Sequence, residues 1–553
     1  WCVYPNFDEI PEYTGYLKPK NFEIFRDFLN ANGMGNLSHQ YLLASGKLQT
    51  LCYKEDIESA LRTPGMGGFE LLDLHDFPGQ GTALVGVLDP FWHDKGYVTA
   101  KEYSRFCNRT VPLARLPKRV FTTDETLTGR LELAHFGPGP IEGAVTHWRF
   151  MNDKQVLAEG KLPAKDIPVG NGISLGDVAI DLKNVPAPAH CKLVVSVADA
   201  ENDWDIWVYP TNTVSPAPTG IMVTSRFDAT ARARLQVGWK VLLTIPAKQV
   251  RNYDTDPVKV GFSSIFWNTA WTARQAPTTL GILCDPKNPA LSEFPTDFYS
   301  DWQWWYLIHR AGALRLDLLP SGAEPIVRVI DDWVTAHPLA LVTEAKVGTG
   351  KMVICGFDLT EGADDPVSRQ MLRSLLDYMD SPKFAPRTEC TLDQIQSLQI
   401  QSHVVPAAPK ASSGIAHIKA DSEQEGYEVK NAIDGNPQTF WHSSWAEGSP
   451  GFPHELTIEL SDAKMVAGIT ALPRQDGNQN GWIKDYLLYT SLDGENWGDP
   501  VARGTFTKTR RLKTVKFSAP TRAKFIKLVA ESGYADGSWA SLAEFNVIDA
   551  NEN

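Results

Sequence analysis

Aromatic side chains are the most conspicuous chemical feature of this sequence, which has 17 Trp, 16 Tyr and 24 Phe among its 553 residues. The apolar C–H face of a sugar ring packs well on the face of an aromatic ring, so a chain of this composition has the material for sugar binding. Aromatic side chains also fill the cores of sandwiches and barrels. Whether a given ring binds a sugar or fills a core must therefore be inferred from the residues around it in the sequence.

The seven cysteines are the next candidates for chemistry: Cys2, Cys52, Cys107, Cys191, Cys284, Cys355 and Cys390. None forms a CxxC pair or a metal-binding cluster, and several lie in apolar, strand-like runs. This pattern predicts buried free thiols without a disulfide framework. A nucleophilic cysteine needs a tight elbow between a strand and a helix. Neither Cys284 nor Cys355 has such an elbow together with a histidine partner, so the sequence predicts no catalytic cysteine.

Charge and hydropathy narrow the class of partner. The net charge of −13 argues against nucleic acid, since phosphate binding needs clustered Lys and Arg. The one short basic run, at 508–513, is typical of a solvated strand edge. No run approaches the ~18 apolar residues of a membrane helix, so no membrane span is expected. The length predicts three to five domains.

The sequence pattern divides the chain into five parts and predicts a multidomain protein with α/β and all-β segments. Residues 1–118 alternate helical and strand patterns, 119–215 have the short alternating strands of an immunoglobulin-like sandwich, and 216–384 suggest a small α/β domain. Residues 385–409 are expected to be a linker, and 410–553 a second β-sandwich. Within the α/β segment, the aromatic run FPTDFYSDWQWWYLI (294–308) is expected to be a packing surface between domains.

Four short motifs near the C-terminus occur in a distinctive order. They are NAIDGNPQTFWHSSW, FPHELTIEL, ALPRQDGNQNGWIKDYLLYTSLDGENW and KFIKLVAESGYADGSWASLAEFNV. In this order and spacing they resemble the discoidin, or factor V/VIII type C, sandwich, and within it the family 32 carbohydrate-binding modules. The resemblance implies a module that binds a galactose-type sugar through its loops.

The galactose-binding pattern of that family, carried over onto this sequence, implies a set of binding residues: Glu425, His442, Trp445, Arg474, Asn480, Tyr534 and Trp539. Such a set offers what a sugar with an axial hydroxyl beside an apolar face requires, namely a planar donor, a histidine, an amide or carboxylate acceptor and an aromatic floor. Trp441 and Trp539 have an alternative role in the core.

The DGN turn resembles the structural calcium loop of the same family. The resemblance implies that Asp434, Asn436, Thr439 and Glu544 bind Ca²⁺, which prefers hard oxygen ligands. The alternative is a plain Asx turn without a metal. No organic cofactor is expected.

The N-terminal segment has a different resemblance. WCVYPNFDEI, the helix pair before Arg62 and GGFELLDLHDF resemble the end of the (β/α)8 catalytic barrel in glycoside hydrolase family 2. In that family the eighth strand begins with GGF, here Gly67–Phe69. A retaining hydrolase needs two carboxylates ~5–5.5 Å apart, and the resemblance places this glutamate pair upstream of residue 1. No catalytic residue is therefore predicted within the chain.

Four residues near the expected barrel rim are candidates for substrate contact: His75, Asp76, Trp1 and Tyr4. His75 and Asp76 stand where the eighth strand would end, and active sites form at that face of a barrel. A structural role is the alternative for both. Trp1 and Tyr4 would follow the nucleophile strand and line the substrate subsite.

These observations favour a polysaccharide- or oligosaccharide-degrading exo-glycoside hydrolase, retaining and similar to a β-galactosidase. The expected partner is a plant, algal or host glycan, and the expected location is the bacterial periplasm or the extracellular space. A non-catalytic carbohydrate-binding protein is an alternative. Another is a polysaccharide lyase, although the cluster of base and metal ligands that a lyase needs is not evident in the sequence.

Overall fold

The computed structural model describes residues 1–16, 18–77, 82–211, 217–253, 257–264, 279–360, 365–400, 414–446, 448–476, 478–510, 512–535 and 537–550. It forms two compact units, Trp1–Gln401 and Ser402–Asn553. The three segments predicted before residue 385 therefore belong to one unit. Their side chains share a core, in which Leu48 and Cys52 pack with Trp207 and with Val353 of the α/β segment. All seven cysteines are free, as predicted.

The N-terminal segment is mainly helical. Its helices are α1 (Lys20–Ala31), α2 (Ser38–Leu61) and α3 (Ala100–Tyr103). Helix α3 begins with a capping box, in which Thr99 and Glu102 satisfy each other's backbone N–H groups. Short 3₁₀ helices occur here and later at Phe7–Glu12, Gly35–Leu37, Ala247–Gln249, Pro289–Leu291, Leu316–Leu318 and Val429–Ala432.

The segment that starts at Gly67, expected to be the eighth strand of a barrel, is not a strand in the structure. It makes only isolated bridges, from His75 to Leu88 and from Phe77 to Ala83. A strand needs a continuous ladder of hydrogen bonds to a neighbour, and these bridges hold an irregular loop whose Leu72 is 82% exposed. No strand precedes Thr110 in the described part of the chain, so a (β/α)8 barrel is not shown. The PGQG turn at 78–81 lies outside the described residues.

Residues 110–209 form a two-sheet sandwich, as the alternating pattern predicts. The strands are β1 (Thr110–Arg115), β2 (Val120–Thr122), β3 (Thr126–His135), β4 (Ile141–Ala144), β5 (Thr146–Asn152), β6 (Gln155–Lys161), β7 (Lys165–Ile167), β8 (Gly170–Asp181), β9 (Ala189–Val197) and β10 (Ala200–Tyr209). One sheet has the order β1-β3-β8 and the other β2-β10-β9-β5-β6, while β4 pairs with β7. Phe150, Cys191 and Trp204 belong to the core between them.

The α/β segment contains a mixed sheet with helices on both faces. Its elements are β11 (Ile221–Thr224), α4 (Ala229–Gln236), β12 (Lys240–Thr244), β13 (Ile282–Cys284), α5 (Trp304–Ile308), β14 (Leu314–Arg315), β15 (Val327–Val329), β16 (Leu339–Val347), β17 (Gly350–Cys355), α6 (Pro366–Asp380) and α7 (Leu392–Ser397). The strand order is β11-β12-β17-β16-β15-β13, with β14 paired to β16. Successive residues of β12 point to opposite faces, so Val241 packs with α4 and Leu242 with α6.

Helix α7 lies inside the predicted linker. Ile395 and Leu398 are buried in the core that contains α4, and the Arg251 N–H donates to the Leu398 carbonyl oxygen. The first unit therefore extends through residue 400. Residues 401–413 lie outside the described part of the chain.

The C-terminal unit is a β-sandwich, as predicted. Its strands are β18 (Ile415–Ala420), β19 (Trp441–His442), β20 (His454–Leu472), β21 (Asp485–Ser491), β22 (Ala502–Thr505), β23 (Lys513–Ala530), β24 (Ser541–Leu542) and β25 (Glu544–Asp549). The main sheet has the order β18-β20-β23-β21-β22, with β25 on β20, and β19 pairs with β24. The long strands β20 and β23 provide a rigid frame from which the loops project.

Candidate functional site

A cavity of about 420 Å³ lies among the loops of the C-terminal unit. Its lining residues come from the loop after β18, from β19 and the residues that follow it, from the β20–β21 loop and from the β23–β24 loop: Tyr427, His442, Trp445, Arg474, Asn478, Asn480 and Trp539. Rings and polar side chains that are distant in sequence thus face one space. A concave site of this composition suits a small polar ligand with an apolar face.

His442 supplies a hydrogen-bond acceptor to the cavity. The ring is 2% exposed, and its Nδ1 lies 2.7 Å from the carbonyl oxygen of Ser443. A carbonyl can only accept, so Nδ1 carries the proton and Nε2 has the free lone pair. Burial, followed by the nearby positive charge of Arg474, lowers the pKa of His442. The ring is therefore neutral at pH 7 and keeps Nε2 as an acceptor.

Arg474 supplies fixed donors. Its Nε donates to Asp476 Oδ1 at 2.8 Å, its Nη2 donates to the other oxygen of the same carboxylate, and its Nη1 donates to the Asn480 carbonyl oxygen at 3.3 Å. The guanidinium also lies over the ring of Phe440. The hydrogen bond to Arg474 holds the pKa of Asp476 below its usual value. The group is preorganised, so a ligand that uses its remaining N–H groups need not order it.

Asn480 is held by the turn that follows it. Ser541 donates its hydroxyl to the Asn480 carbonyl oxygen at 3.2 Å and its N–H to the Gly481 carbonyl oxygen at 2.7 Å. Gly481 has φ +79°, and a Cβ there would lie 2.7 Å from the Ser541 hydroxyl oxygen. Only glycine fits both conditions, so the turn fixes Asn480 at the cavity.

Aromatic rings form the rest of the wall. Trp445 is 46% exposed and meets His442 edge-on, with 4.8 Å between ring centroids. The ring centroids of Tyr427 and Trp445 lie 5.6 Å apart, and those of Trp539 and His442 lie 6.3 Å apart. Trp441 is 1% exposed and donates its indole N–H to the Ser422 carbonyl oxygen, so it belongs to the core. The structure thus separates the binding-type tryptophans from the structural one.

The structure brings together five of the seven residues predicted for this site: His442, Trp445, Arg474, Asn480 and Trp539. Glu425 is exposed and is not among the lining residues. Tyr534 donates its hydroxyl to the Phe506 carbonyl oxygen and does not line the cavity either. Sequence reasoning missed Tyr427 and Asn478. The position of Asn478 in the same turn as Asn480 could have indicated that it lines the cavity. No feature of the sequence distinguished Tyr427 as a lining residue.

The four predicted calcium ligands also lie close together. Asp434 Oδ2 accepts a hydrogen bond from the Thr439 hydroxyl at 2.7 Å, and Asp434 Oδ1 accepts one from the Asn436 N–H at 2.8 Å. Glu544 is 4% exposed, and its Oε1 has no hydrogen-bond partner among the described residues. Burial and the neighbouring charge of Asp434 raise the pKa of Glu544 to about 7. An unpaired buried carboxylate oxygen beside a second carboxylate fits a bound hard cation.

The four residues predicted near a barrel rim have different surroundings in the structure. Tyr4 is 1% exposed and packs edge-on against Phe7 and Tyr41, so its ring belongs to the core and does not line a subsite. Asp76 is 2% exposed; it pairs with Lys95 at 2.6 Å and accepts a hydrogen bond from the Gly86 N–H. Both oxygens of the Asp76 carboxylate therefore take part in contacts within the protein, which favours a structural role over substrate contact.

His75 and Trp1 lie nearer the surface, in different settings. His75 is half-buried, and its ring lies 4.8 Å from that of Trp92, which is 61% exposed. Trp1 donates its indole N–H to Asp56 Oδ2 at 3.0 Å and lines a second cavity, within the unit Trp1–Gln401. A contact of either residue with the substrate of a barrel enzyme stays a prediction.

The fold and the cavity define the C-terminal unit as a β-sandwich with a ligand site on its loops. Residues 417–545 match the F5/8 type C domain model. Two further models, both of domains of unknown function, match 125–210 (DUF8488) and 222–400 (DUF8487).

The curated relatives are similar to this chain over the same C-terminal region. A galactose oxidase from Gibberella zeae is 44% identical over 134 residues, and a sialidase from Micromonospora viridifaciens is 38% identical over 142 residues. These alignments span 24% and 25% of this chain but only 20% and 21% of the relatives.

Among solved structures, a family 32 carbohydrate-binding module from Clostridium perfringens, in complex with galactose, is 36% identical. The match covers 25% of this chain and 95% of that one, with a TM-score of 0.23. In the described part of the chain, no helix is both long and apolar enough to cross a membrane.

Proposed function

We propose that the F5/8 type C domain binds a galactose-type sugar in the cavity around His442 and Arg474. The observation that carries the proposal is the pairing of a neutral histidine acceptor with a preorganised guanidinium donor beside the open face of Trp445. A galactose ring has an axial hydroxyl next to an apolar face, and the cavity offers hydrogen bonds to the first and stacking to the second.

The chemistry divides among the side chains. His442 Nε2 accepts a hydrogen bond from one sugar hydroxyl, while the free N–H groups of Arg474 and the amide of Asn480 donate hydrogen bonds to neighbouring hydroxyl oxygens. Trp445, with Tyr427 and Trp539 beside it, covers the apolar face. One monosaccharide buries one ring face and a few hydroxyls, so a Kd of roughly 0.1–10 mM is expected.

Titration of the chain with galactose, glucose and mannose, followed by NMR or calorimetry, tests the proposal. Galactose should bind saturably, with glucose and mannose weaker. Binding of other hexoses without galactose would show that the sugar assignment is wrong.

We also propose that Asp434, Asn436, Thr439 and Glu544 hold a structural Ca²⁺. The ion would supply the positive charge that the buried carboxylate of Glu544 otherwise lacks, and it would fix the segment leading to Phe440. Support comes from the unpaired Oε1 of Glu544 and from an all-oxygen donor set.

For the protein as a whole we propose a carbohydrate-active enzyme acting outside the cytoplasm on plant, algal or host glycans, specifically a retaining glycoside hydrolase of the β-galactosidase type. Relatives that share the C-terminal region are named galactose oxidase, sialidase and, at 31% identity over 151 residues, lacto-N-biosidase of Bifidobacterium bifidum. The 553-residue chain should be inactive on aryl β-glycosides, and a longer chain with an upstream barrel and its glutamate pair should be active. Turnover by the 553 residues alone would contradict this placement of the active site.

A further inference from the structure

A second cavity, of about 880 Å³, lies within the unit Trp1–Gln401. We call it the tryptophan cleft and define it by Trp1, Asp56, Phe262, Trp302, Trp305 and His309. It is lined by Trp1, by residues of α2, by residues 258–263, and by residues of and next to α5. Its size lies within the ~300–1,000 Å³ typical of sites for small molecules.

Three rings that line the tryptophan cleft form a cluster. Phe262 stacks on Trp302 with 5.2 Å between centroids and an interplanar angle of 18°, and it meets Trp305 edge-on at 5.2 Å. Phe262 is 4% exposed, whereas Trp305 is 45% exposed. The buried ring and Trp302 thus support a tryptophan whose own surface is open to a ligand. Exposing so much indole costs free energy unless a partner covers it.

The aromatic run is therefore only partly the packing surface that the sequence indicates. Trp304 is fully buried and donates its indole N–H to Thr296 Oγ1 at 2.8 Å, which is a packing role. Trp302 and Trp305 flank it in sequence but line the cleft. Trp304 and Trp305 have different roles because adjacent residues of α5 point in different directions.

Polar groups with fixed orientation border the rings. Trp1 Nε1 holds Asp56 through Oδ2, which leaves Oδ1 of this exposed carboxylate as an acceptor. The ring of His309 is tilted by 41° against that of Trp305, with 4.0 Å between ring centroids. Its Nδ1 donates to the Trp305 carbonyl oxygen at 2.8 Å, which in the neutral ring leaves Nε2 as an acceptor. Acceptors on two sides of an open indole match a ligand that carries both C–H faces and hydroxyl donors.

We propose that the tryptophan cleft is a second carbohydrate-binding site, which binds a neutral oligosaccharide. A neutral ligand is favoured because the lining carries the carboxylates of Asp56 and Glu55 beside the ammonium of Lys259, and these charges together do not favour phosphate or uronate groups. Glu55 forms an ion pair with Arg119, so its charge is balanced without a cationic ligand. A sugar chain uses both the stacking surface and the acceptors for hydroxyl groups, whereas an apolar ligand would desolvate Asp56 Oδ1 without giving it a hydrogen-bond donor. This site lies in a different unit from the galactose-type site and does not depend on it.

The test uses the full 553-residue chain with Arg474→Ala and His442→Ala, which disables the C-terminal cavity. This chain is screened on an array of neutral oligosaccharides, and the strongest ligand is titrated by tryptophan fluorescence and calorimetry. Trp305→Ala should weaken binding at least tenfold, and Asp56→Asn, which keeps the rings, should weaken it several-fold. The matched control is Trp92→Ala, since Trp92 is a more exposed tryptophan of the same unit outside the cleft.

The proposal is wrong if no neutral oligosaccharide binds the double variant. It is also wrong if neither Trp305→Ala nor Asp56→Asn weakens the binding of the strongest oligosaccharide. Preference for acidic over neutral glycans would also contradict it. Melting curves show whether Trp305→Ala remains folded, and Asp56→Asn decides the question if it does not. Failure of galactose to bind the C-terminal cavity would leave these readouts unchanged, so the two proposals fail separately.

Discussion

The guanidinium carbon of Arg474 lies 4.2 Å from the centroid of the Phe440 ring. Phe440 directly follows Thr439, whose hydroxyl is bonded to Asp434 in the proposed calcium loop. Segment 434–440 therefore begins in the oxygen-rich loop and ends at Phe440, the ring against which the cavity residue Arg474 packs. A cation that orders the loop also fixes the surface on which Arg474 stacks, so sugar affinity should depend on calcium.

Arg474→Ala should abolish detectable galactose binding. Loss of charge-assisted hydrogen bonds costs ~1.5–3 kcal/mol, which exceeds what a millimolar interaction can lose and still be measured. Arg474→Lys should not restore binding, because an ammonium cannot make the bidentate pair with Asp476 or the planar stack on Phe440. Calorimetric titration checks both, with the exposed Arg522→Ala as control. Wild-type affinity in Arg474→Ala would show that the site is misplaced.

Trp445 and Trp441 should respond differently to alanine. Trp445→Ala removes an exposed stacking surface, so galactose binding should weaken while the melting temperature of the C-terminal unit changes little. Trp441→Ala empties a fully buried position and should destabilise the unit by ~3–5 kcal/mol. Chemical denaturation measures stability, and NMR titration measures binding. Equal losses of stability in the two variants would contradict the assignment of Trp445 to the cavity.

Galactose affinity should fall at acidic pH. Burial lowers the pKa of His442 from its usual 6.5, so the ring is neutral and affinity should be constant above that pH. Below the lowered pKa of His442, protonation of Nε2 replaces the acceptor with a donor beside Arg474, and affinity should drop several-fold. The His442 ring signals, followed by NMR with and without galactose, should show a lower pKa in the complex. His417→Asn, at an exposed histidine, should preserve the pH profile. Unchanged affinity at a pH where the NMR signals show His442 to be protonated would argue against the acceptor role.

Calcium should raise the melting temperature of the C-terminal unit, and a chelator should lower it, because a ligand that binds only the native state stabilises that state. Glu544→Gln should remove the response to calcium. The same variant should be more stable than the metal-free wild type at pH above about 7, since it relieves the buried charge beside Asp434. Scanning calorimetry with and without calcium measures both effects. Glu531→Gln, at an exposed position, is the control, and an unchanged melting curve together with no metal by elemental analysis would favour a plain turn.

Local sequence determined much of the C-terminal unit. The HSSW, RQDGNQN and GSWAS motifs, through their resemblance to the family 32 carbohydrate-binding modules, assigned His442, Arg474 and Trp539 to one site, and the structure gathers them around one cavity. This works because strand alternation and turn residues are local properties, and a rigid sandwich then fixes where its loops meet.

Tertiary packing decided the rest, because burial depends on segments that are far apart in sequence. The segment at Gly67 had the composition of a strand, but a strand needs a neighbouring ladder, and the structure gives it only isolated bridges. Tyr4 and Asp76 had the types of site residues, and α2 and Lys95 enclose them. In the same way, the sequence showed an aromatic run at 294–308, but only the approach of Trp1 and Asp56 from the N-terminal segment makes Trp302 and Trp305 the wall of a cleft.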